Sequence, residues 1–174
     1  MRKQILAAVG LAIACTAAVA QPFPAKPIRF VVATAAGGAS DIVARTVSER
    51  MQEGLGQPIV VEAKPGANGN LAAEYVAKAP ADGYTMMMGT IGVMAINVSM
   101  YRKTPFDPLT DFTAVAPLVS FSNMLVVRND LPVKSVRELI DYARANPGKL
   151  RYGSPGSGGS PHMAMVVFGQ MNNL

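Results

Sequence analysis

The segment "IRFVVATAAGGASDIVAR", residues 28–45, decides the fold that we predict for this chain. Its first part, residues 28–33, is a short apolar run that predicts a buried strand. From Ser40 to Gly54 an apolar residue recurs about every fourth position, which predicts an amphipathic helix. Gly37 and Gly38 lie between the two, so the chain leaves a strand, crosses a tight turn and enters a helix.

The same alternation of strand and helix continues along the rest of the chain. Ser135 is followed three residues later by Glu138, which is the pattern of a helix capping box. Further strands are predicted at 58–63, 84–89, 113–121, 123–128 and 149–154, and further helices at 71–79, 90–101, 135–148 and 161–174. Such alternation is typical of an α/β architecture with mainly parallel strands.

Two predicted strands lead into glycine-rich turns, "ATAAGGASD" at 33–41 and "YGSPGSGGSPH" at 152–162. The first turn of a helix carries unpaired N–H donors and a partial positive charge, so a carboxylate or phosphate binds well there. Ligands of open α/β sheets also lie beyond the carboxyl ends of the strands. The first turn could equally be a plain connection in which Ser40 or Asp41 caps the helix, and the second could be a flexible surface loop.

Two side chains in these turns need a separate interpretation. The Asp41 carboxylate would repel an anion, so we expect it to cap the helix, orient a water molecule or hold an amino group. His162 is the only histidine. It could serve a hydrolase together with Ser157 or Ser160, although neighbours in one turn rarely reach triad geometry. Alternatively, it is a residue of the first helical turn that donates a hydrogen bond and contacts a ligand.

The composition excludes several classes of function. Charged residues make up 16% of the chain and apolar residues 50%, which argues against disorder. The formal net charge of +5 falls to +3 without Arg2 and Lys3, too little to indicate nucleic-acid binding. One cysteine and one histidine cannot form a usual zinc site, and no P-loop motif occurs. We therefore expect no metal and no cofactor.

The first twenty residues predict export. "MRK" is a basic start, residues 5–20 form an apolar region, and Ala18 to Ala20 form an A-x-A site, which places signal-peptide cleavage before Gln21. A permanent N-terminal anchor and lipid attachment at Cys15 are less favoured alternatives. The mature chain would then contain no cysteine, and export without disulfides favours the bacterial periplasm.

The order of four stretches resembles one known family. They are "FPAKPIRFVVATAAGGASDIVAR", "LGQPIVVEAKPGANGNLAAEYVAKAPADGYTMMMGT", "AINVSMYRKTPFDPLTDF" and "NMLVVRNDLPVKSVRELIDYARANPGKLRYGSPGSGGSPH". Together they resemble the Bug-type receptors, the extracytoplasmic solute-binding proteins of tripartite tricarboxylate transporters. The resemblance implies a two-lobed clamp similar to type II periplasmic binding proteins. It also implies capture of a small carboxylate without catalysis, and a monomer that works with membrane transporter subunits.

The resemblance also assigns domains and ligand-binding residues. Residues 1–20 would be the signal peptide, 21–104 the first lobe and 105–174 a partial second lobe. The ligand would be held by Thr34, Ala35, Ala36, Gly37, Gly38, Ser40, Asp41, Asn68, Gly89, Thr90, Ser154, Ser157, Ser160 and His162.

This chain departs from the family pattern in two respects. "ATAAGG" replaces the commoner "PFAPGG", which removes a proline and an aromatic residue beside the expected site. The segments that return to complete both lobes are absent, so the expected clamp is incomplete on its C-terminal side. A truncated product without function is therefore a further alternative.

Overall fold

The computed structural model describes residues 22–174, and the predicted signal peptide, its cleavage site and Cys15 lie outside the described residues. Three strands form one sheet: β1 (Ile28–Val32), β2 (Ile59–Ala63) and β3 (Thr85–Met88). β1 lies in the centre and pairs in parallel with both neighbours, so that Phe30 lies between Val61 and Met86. The predicted parallel α/β sheet is confirmed in this part of the chain.

Helices cover both faces of the sheet. Helix α1 (Ala39–Leu55) packs on one face, where Phe30 and Ile59 are buried together with Ala44. Helix α2 (Asn70–Ala77), a π-helical turn at Gly92–Ile96 and helix α3 (Asn97–Met100) follow along the chain. A second buried cluster, Ala73, Val93 and Phe106, contains residues from α2 and the π-helical turn. Phe106 belongs to the predicted second lobe, whose boundary at residue 105 stays a prediction.

The remaining chain contains two helices, α4 (Val136–Ala145) and α5 (Ser160–Met171). The predicted cap of α4 is present, since the Glu138 N–H donates to Ser135 Oγ at 3.2 Å. The Glu138 carboxylate accepts the N–H of Lys134 at 2.7 Å. The two helices are joined where the Arg144 guanidinium donates to the Asn172 carbonyl at 2.9 Å.

Three strand predictions are wrong for the described residues, those at 113–121, 123–128 and 149–154. These segments contain no strand, and residues 113–130 are all exposed. Val115 is 91% exposed and Met124 is 86% exposed. A strand forms only when a neighbouring strand accepts its ladder of hydrogen bonds, and no described residue pairs with these segments.

Phe30→Ala tests the position of the sheet core. Phe30 is 3% exposed between β2, β3 and α1, so we expect the free energy of unfolding to fall by about 3–5 kcal/mol. Ile42→Ala is the control, because Ile42 lies 58% exposed on α1, and its loss should stay within about 0.5 kcal/mol. Urea denaturation measures both changes, and equal losses would contradict this core.

Candidate functional site

The carboxyl edge of the sheet collects most of the predicted site residues. The turn at 34–41 follows β1, Asn68 follows β2, and Gly89 with Thr90 follows β3. Because all three strands are parallel, their carboxyl ends lie at one edge. This is where open α/β sheets bind their ligands.

The first glycine turn, residues 34–41, opens α1 with free donors. Gly37 has φ of +81°, which favours glycine, and Gly38 precedes the helix with φ of −72° and ψ of 164°. The Gly38 N–H donates to the Ala35 carbonyl at 3.1 Å. Among the described residues, no hydrogen bond uses the N–H groups of residues 39–41. These donors are therefore available to an anion.

Asp41 stabilises the first glycine turn from inside the helix. Its buried carboxylate accepts the Gly37 N–H at 2.9 Å and two bonds from the Arg45 guanidinium at 2.9 and 3.0 Å. The hydrogen bond from Arg45, followed by that from Gly37, lowers the pKa of Asp41 below the ordinary carboxyl value. Since Arg45 balances the negative charge, Asp41 does not make the turn repel an anion. A direct ligand contact by Asp41 stays a prediction.

Thr34 contributes an unused hydroxyl to the same turn. Its Oγ1 is buried and has no hydrogen-bond partner among the described residues. It lies 3.3 Å from the position that a Cβ on Gly38 would occupy. A buried hydroxyl without a partner costs free energy, so a ligand that bonds Thr34 would recover that cost.

The second glycine turn, residues 153–162, repeats the backbone geometry of the first. Gly158 has φ of +83°, and Gly159 precedes α5 with φ of −72° and ψ of 161°. The Gly158 N–H donates to His162 Nδ1 at 3.2 Å. In both turns, therefore, the left-handed glycine donates its N–H to the side chain four residues later.

His162 accepts a hydrogen bond, whereas the sequence predicted a donor. An accepting Nδ1 carries no proton, so the neutral ring has its hydrogen on Nε2. The ring stacks on Tyr152 with centroids 6.4 Å apart. Ser160 Oγ donates to Asn123 Oδ1 at 3.0 Å, and neither bond joins Ser160 to His162.

Comparison with known proteins decides the family. The family model described as the tripartite tricarboxylate transporter family receptor matches residues 43–173. The chain belongs to this receptor family. The resemblance predicted from the four sequence stretches is confirmed.

Three similar proteins show what share of a family member's length this chain covers. A curated protein of Cupriavidus necator, named for its place in the gbd 5′ region, is 42% identical over 91% of this chain and 48% of its own length. An R. palustris structure with adipate is 41% identical, with a TM-score of 0.82, over 87% of this chain and 51% of that one. MatC from Rhodopseudomonas palustris with bound malate is 33% identical, with a TM-score of 0.78, over 87% of this chain and 52% of that one. The chain spans about half the length of these receptors.

The predicted site residues of this chain differ in exposure. Ser154 Oγ donates to the Gly156 carbonyl at 3.3 Å, and the backbone carbonyl of Thr90 accepts the Met94 N–H at 2.9 Å. Exposed are Ala35, Ala36, Gly37, Gly89, Ser154 and Ser157; half-buried are Thr34, Gly38, Asn68, Thr90, Ser160 and His162; buried are Ser40 and Asp41. Their contact with a ligand stays a prediction.

Sequence reasoning missed several residues that shape the site. Arg45 lies four residues after Asp41 on one helix, a spacing that signals an ion pair. Asn97 is fully buried and bonds both Asn68 and Asn70, and no periodicity in the sequence signals it. Gly158 belonged to the quoted turn, but only the structure shows that Asn68 crowds it.

Residues 22–174 lack two features that other functions would need. They contain no group of three or more histidine, cysteine, aspartate or glutamate side chains placed to hold a metal ion. In the same range, no helix combines the length and apolar character that a bilayer span requires.

Asp41→Asn tests the ion pair through its pH dependence. Because folding lowers the pKa of Asp41, its stabilisation is complete above the ordinary carboxyl value of about 3.9 and disappears as pH falls through the lower folded-state pKa. We expect the variant to be less stable than the wild type at pH 7, with the difference shrinking below about pH 4. Urea unfolding across pH measures this difference. Asp141→Asn, at an exposed position on α4, is the control, and a difference for Asp41→Asn that persists at the lowest pH would contradict the assignment.

Proposed function

We propose that this chain captures a small dicarboxylate as the ligand-binding part of a periplasmic receptor for a tripartite tricarboxylate-type transporter. The observation that carries the proposal is the pair of glycine turns, which share one backbone geometry and each open a helix. Two helix N-termini offer donors for two carboxylate groups. Relatives bound to adipate and malate support a dicarboxylate of four to six carbons.

The first glycine turn supplies the more complete set of donors. The free N–H groups of residues 39–41 and the unpaired Thr34 hydroxyl lie in the same turn. Asp41 and Arg45 form a neutral pair beside them, so the partial charge of the α1 N-terminus is not cancelled. The second glycine turn adds Nε2–H of His162 as a donor.

The proposed mechanism is capture without turnover. Bound ligand would bring the two lobes together by a hinge motion, and the closed form would then engage the membrane subunits of the transporter. We expect the receptor to act as a monomer without a cofactor. The hydrogen bonds of Ser160 to Asn123 and of His162 to Gly158 support binding over serine hydrolysis, because the hydroxyl and the imidazole have separate partners.

A thermal melt against a ligand panel tests the proposed function. Malate, succinate and adipate are compared with adipamide, which has the length of adipate but no charge. At a hundred times its dissociation constant, a ligand stabilises the folded state by about 2.7 kcal/mol, so we expect one dicarboxylate to raise Tm by about 5–10 °C. A melt that no carboxylate shifts, or that adipamide shifts equally, would contradict carboxylate capture.

Thr34→Val separates binding from stability. Removing an unpaired buried hydroxyl should raise the free energy of unfolding of the ligand-free protein by about 1 kcal/mol. A hydrogen bond to a charged group is worth about 1.5–3 kcal/mol, so dicarboxylate affinity should fall about tenfold or more. Calorimetric titration measures the affinity and urea unfolding the stability.

Ser48→Ala is the matched control for Thr34→Val. Ser48 Oγ is the other buried side-chain oxygen without a partner in residues 22–174, and it lies on α1 outside the first glycine turn. Its removal should also stabilise the protein and leave the affinity unchanged. Unchanged affinity in Thr34→Val would remove Thr34 from the site.

A further inference from the structure

Three asparagines, the half-buried Asn68 and the buried Asn70 and Asn97, form a cluster beside the candidate site. Asn97 is 0% exposed at the start of α3. Its Nδ2 donates to Asn70 Oδ1 at 2.6 Å and to the Asn68 carbonyl at 3.2 Å, while its Oδ1 accepts from Asn68 Nδ2 at 2.7 Å. Every polar atom of the Asn97 side chain is therefore bonded, as a buried amide requires.

The cluster fixes the conformation of Asn68. Asn68 has φ of 52°, a left-handed conformation that asparagine tolerates better than most residues. The next residue, Gly69, has φ of +91° and packs so closely that an added Cβ would lie 2.4 Å from Val93 and 2.8 Å from Ala33. The Asn68 loop, residues 64–69, thus lies packed between Ala33 at the end of β1 and Val93 of the π-helical turn.

Gly158 of the second glycine turn rests on this cluster. A Cβ at position 158 would lie 2.9 Å from Asn68 Nδ2, 3.1 Å from Met100 Sδ and 3.3 Å from Asn97 Oδ1. A Cβ at Gly92 would lie 3.1 Å from the same Nδ2 and 3.5 Å from the Gly158 carbonyl oxygen. The amide of Asn68 therefore fills a space that exists only because positions 92 and 158 have no side chain.

We infer that Asn68 and Gly158 form the contact that sets the distance between the two glycine turns, and so the length of dicarboxylate that binds best. The inference rests on the proposed function. Gly158 is joined to His162 by its N–H and directly precedes the helix cap Gly159, so a shift of Gly158 moves the donors of α5. Asn68 is then a positioning residue rather than the direct ligand contact that the resemblance implies.

A double-mutant cycle with Gly158→Ala and Asn68→Gly tests this contact. The measured quantity is the ratio of dissociation constants for a four-carbon and a six-carbon dicarboxylate, obtained by calorimetric titration of the purified protein. We expect Gly158→Ala to change the ratio about tenfold in the wild-type background and less than about twofold in the Asn68→Gly background. The Asn68→Gly substitution keeps the left-handed backbone accessible and removes the amide that the new methyl group contacts.

Two controls separate the contact from backbone strain. Gly148 has φ of +74° with open space around its Cβ position, so Gly148→Ala introduces strain without a clash. Gly54, near the end of α1, has open space without a positive φ, so Gly54→Ala introduces neither. We expect Gly148→Ala to lower Tm and both controls to leave the ratio unchanged. If Gly158→Ala does not fold, Asn68→Gly alone must still change the ratio.

Several results would overturn the inference. These are an equal effect of Gly158→Ala in both backgrounds, a loss of Tm without a change in the ratio, or an unchanged ratio in Asn68→Gly. A wild-type protein that binds no dicarboxylate would refute the proposed function, and the selectivity inference with it. In that case, if the effects of the two substitutions on Tm in the same cycle are not additive, the contact serves stability alone.

Discussion

Parallel pairing of β1 with both β2 and β3 is the constraint on which the rest of the structure depends. It places Val32, Ala63 and Met88 at one edge of the sheet, so three loops that are distant in sequence start side by side. Burial of Phe30 and Val31 on opposite faces holds β1 in the centre. Without this pairing, the first glycine turn, the Asn68 loop and residues 89–90 would not lie at the same edge of the sheet.

The two glycine turns have the same backbone conformation but use different side chains to accept the N–H of the left-handed glycine. Each places a left-handed glycine before an extended glycine and then begins a helix. In one turn a carboxylate accepts the glycine N–H and is neutralised by Arg45; in the other a neutral imidazole does so. Neither turn carries an uncompensated negative charge on these groups, so both remain suited to an anion.

Much of the first half of the chain could be predicted from sequence, because its patterns are local. The apolar run at β1 and the helix from Ser40 each depend on neighbours within a few residues. The same holds for the cap of α4 by Ser135 in the second half of the chain. The predictions of strands at 113–121 and 123–128 were wrong because strand propensity reports only that a segment suits a half-buried sheet surface. A strand also needs a neighbouring strand, outside the segment, to pair with. The Asn97 cluster and the crowding of Gly158 depend on residues 27 to 90 positions apart, which a linear pattern does not reveal.

The central claim is that both glycine turns bind one dicarboxylate through their backbone N–H groups. Backbone amide chemical shifts of the ¹⁵N-labelled protein, recorded during titration with the best dicarboxylate of the panel, test it most directly. The account predicts saturable shifts with one dissociation constant at residues 39–41 and at Ser160 and His162. Shifts confined to one turn, or a site elsewhere with both turns unmoved, would contradict it.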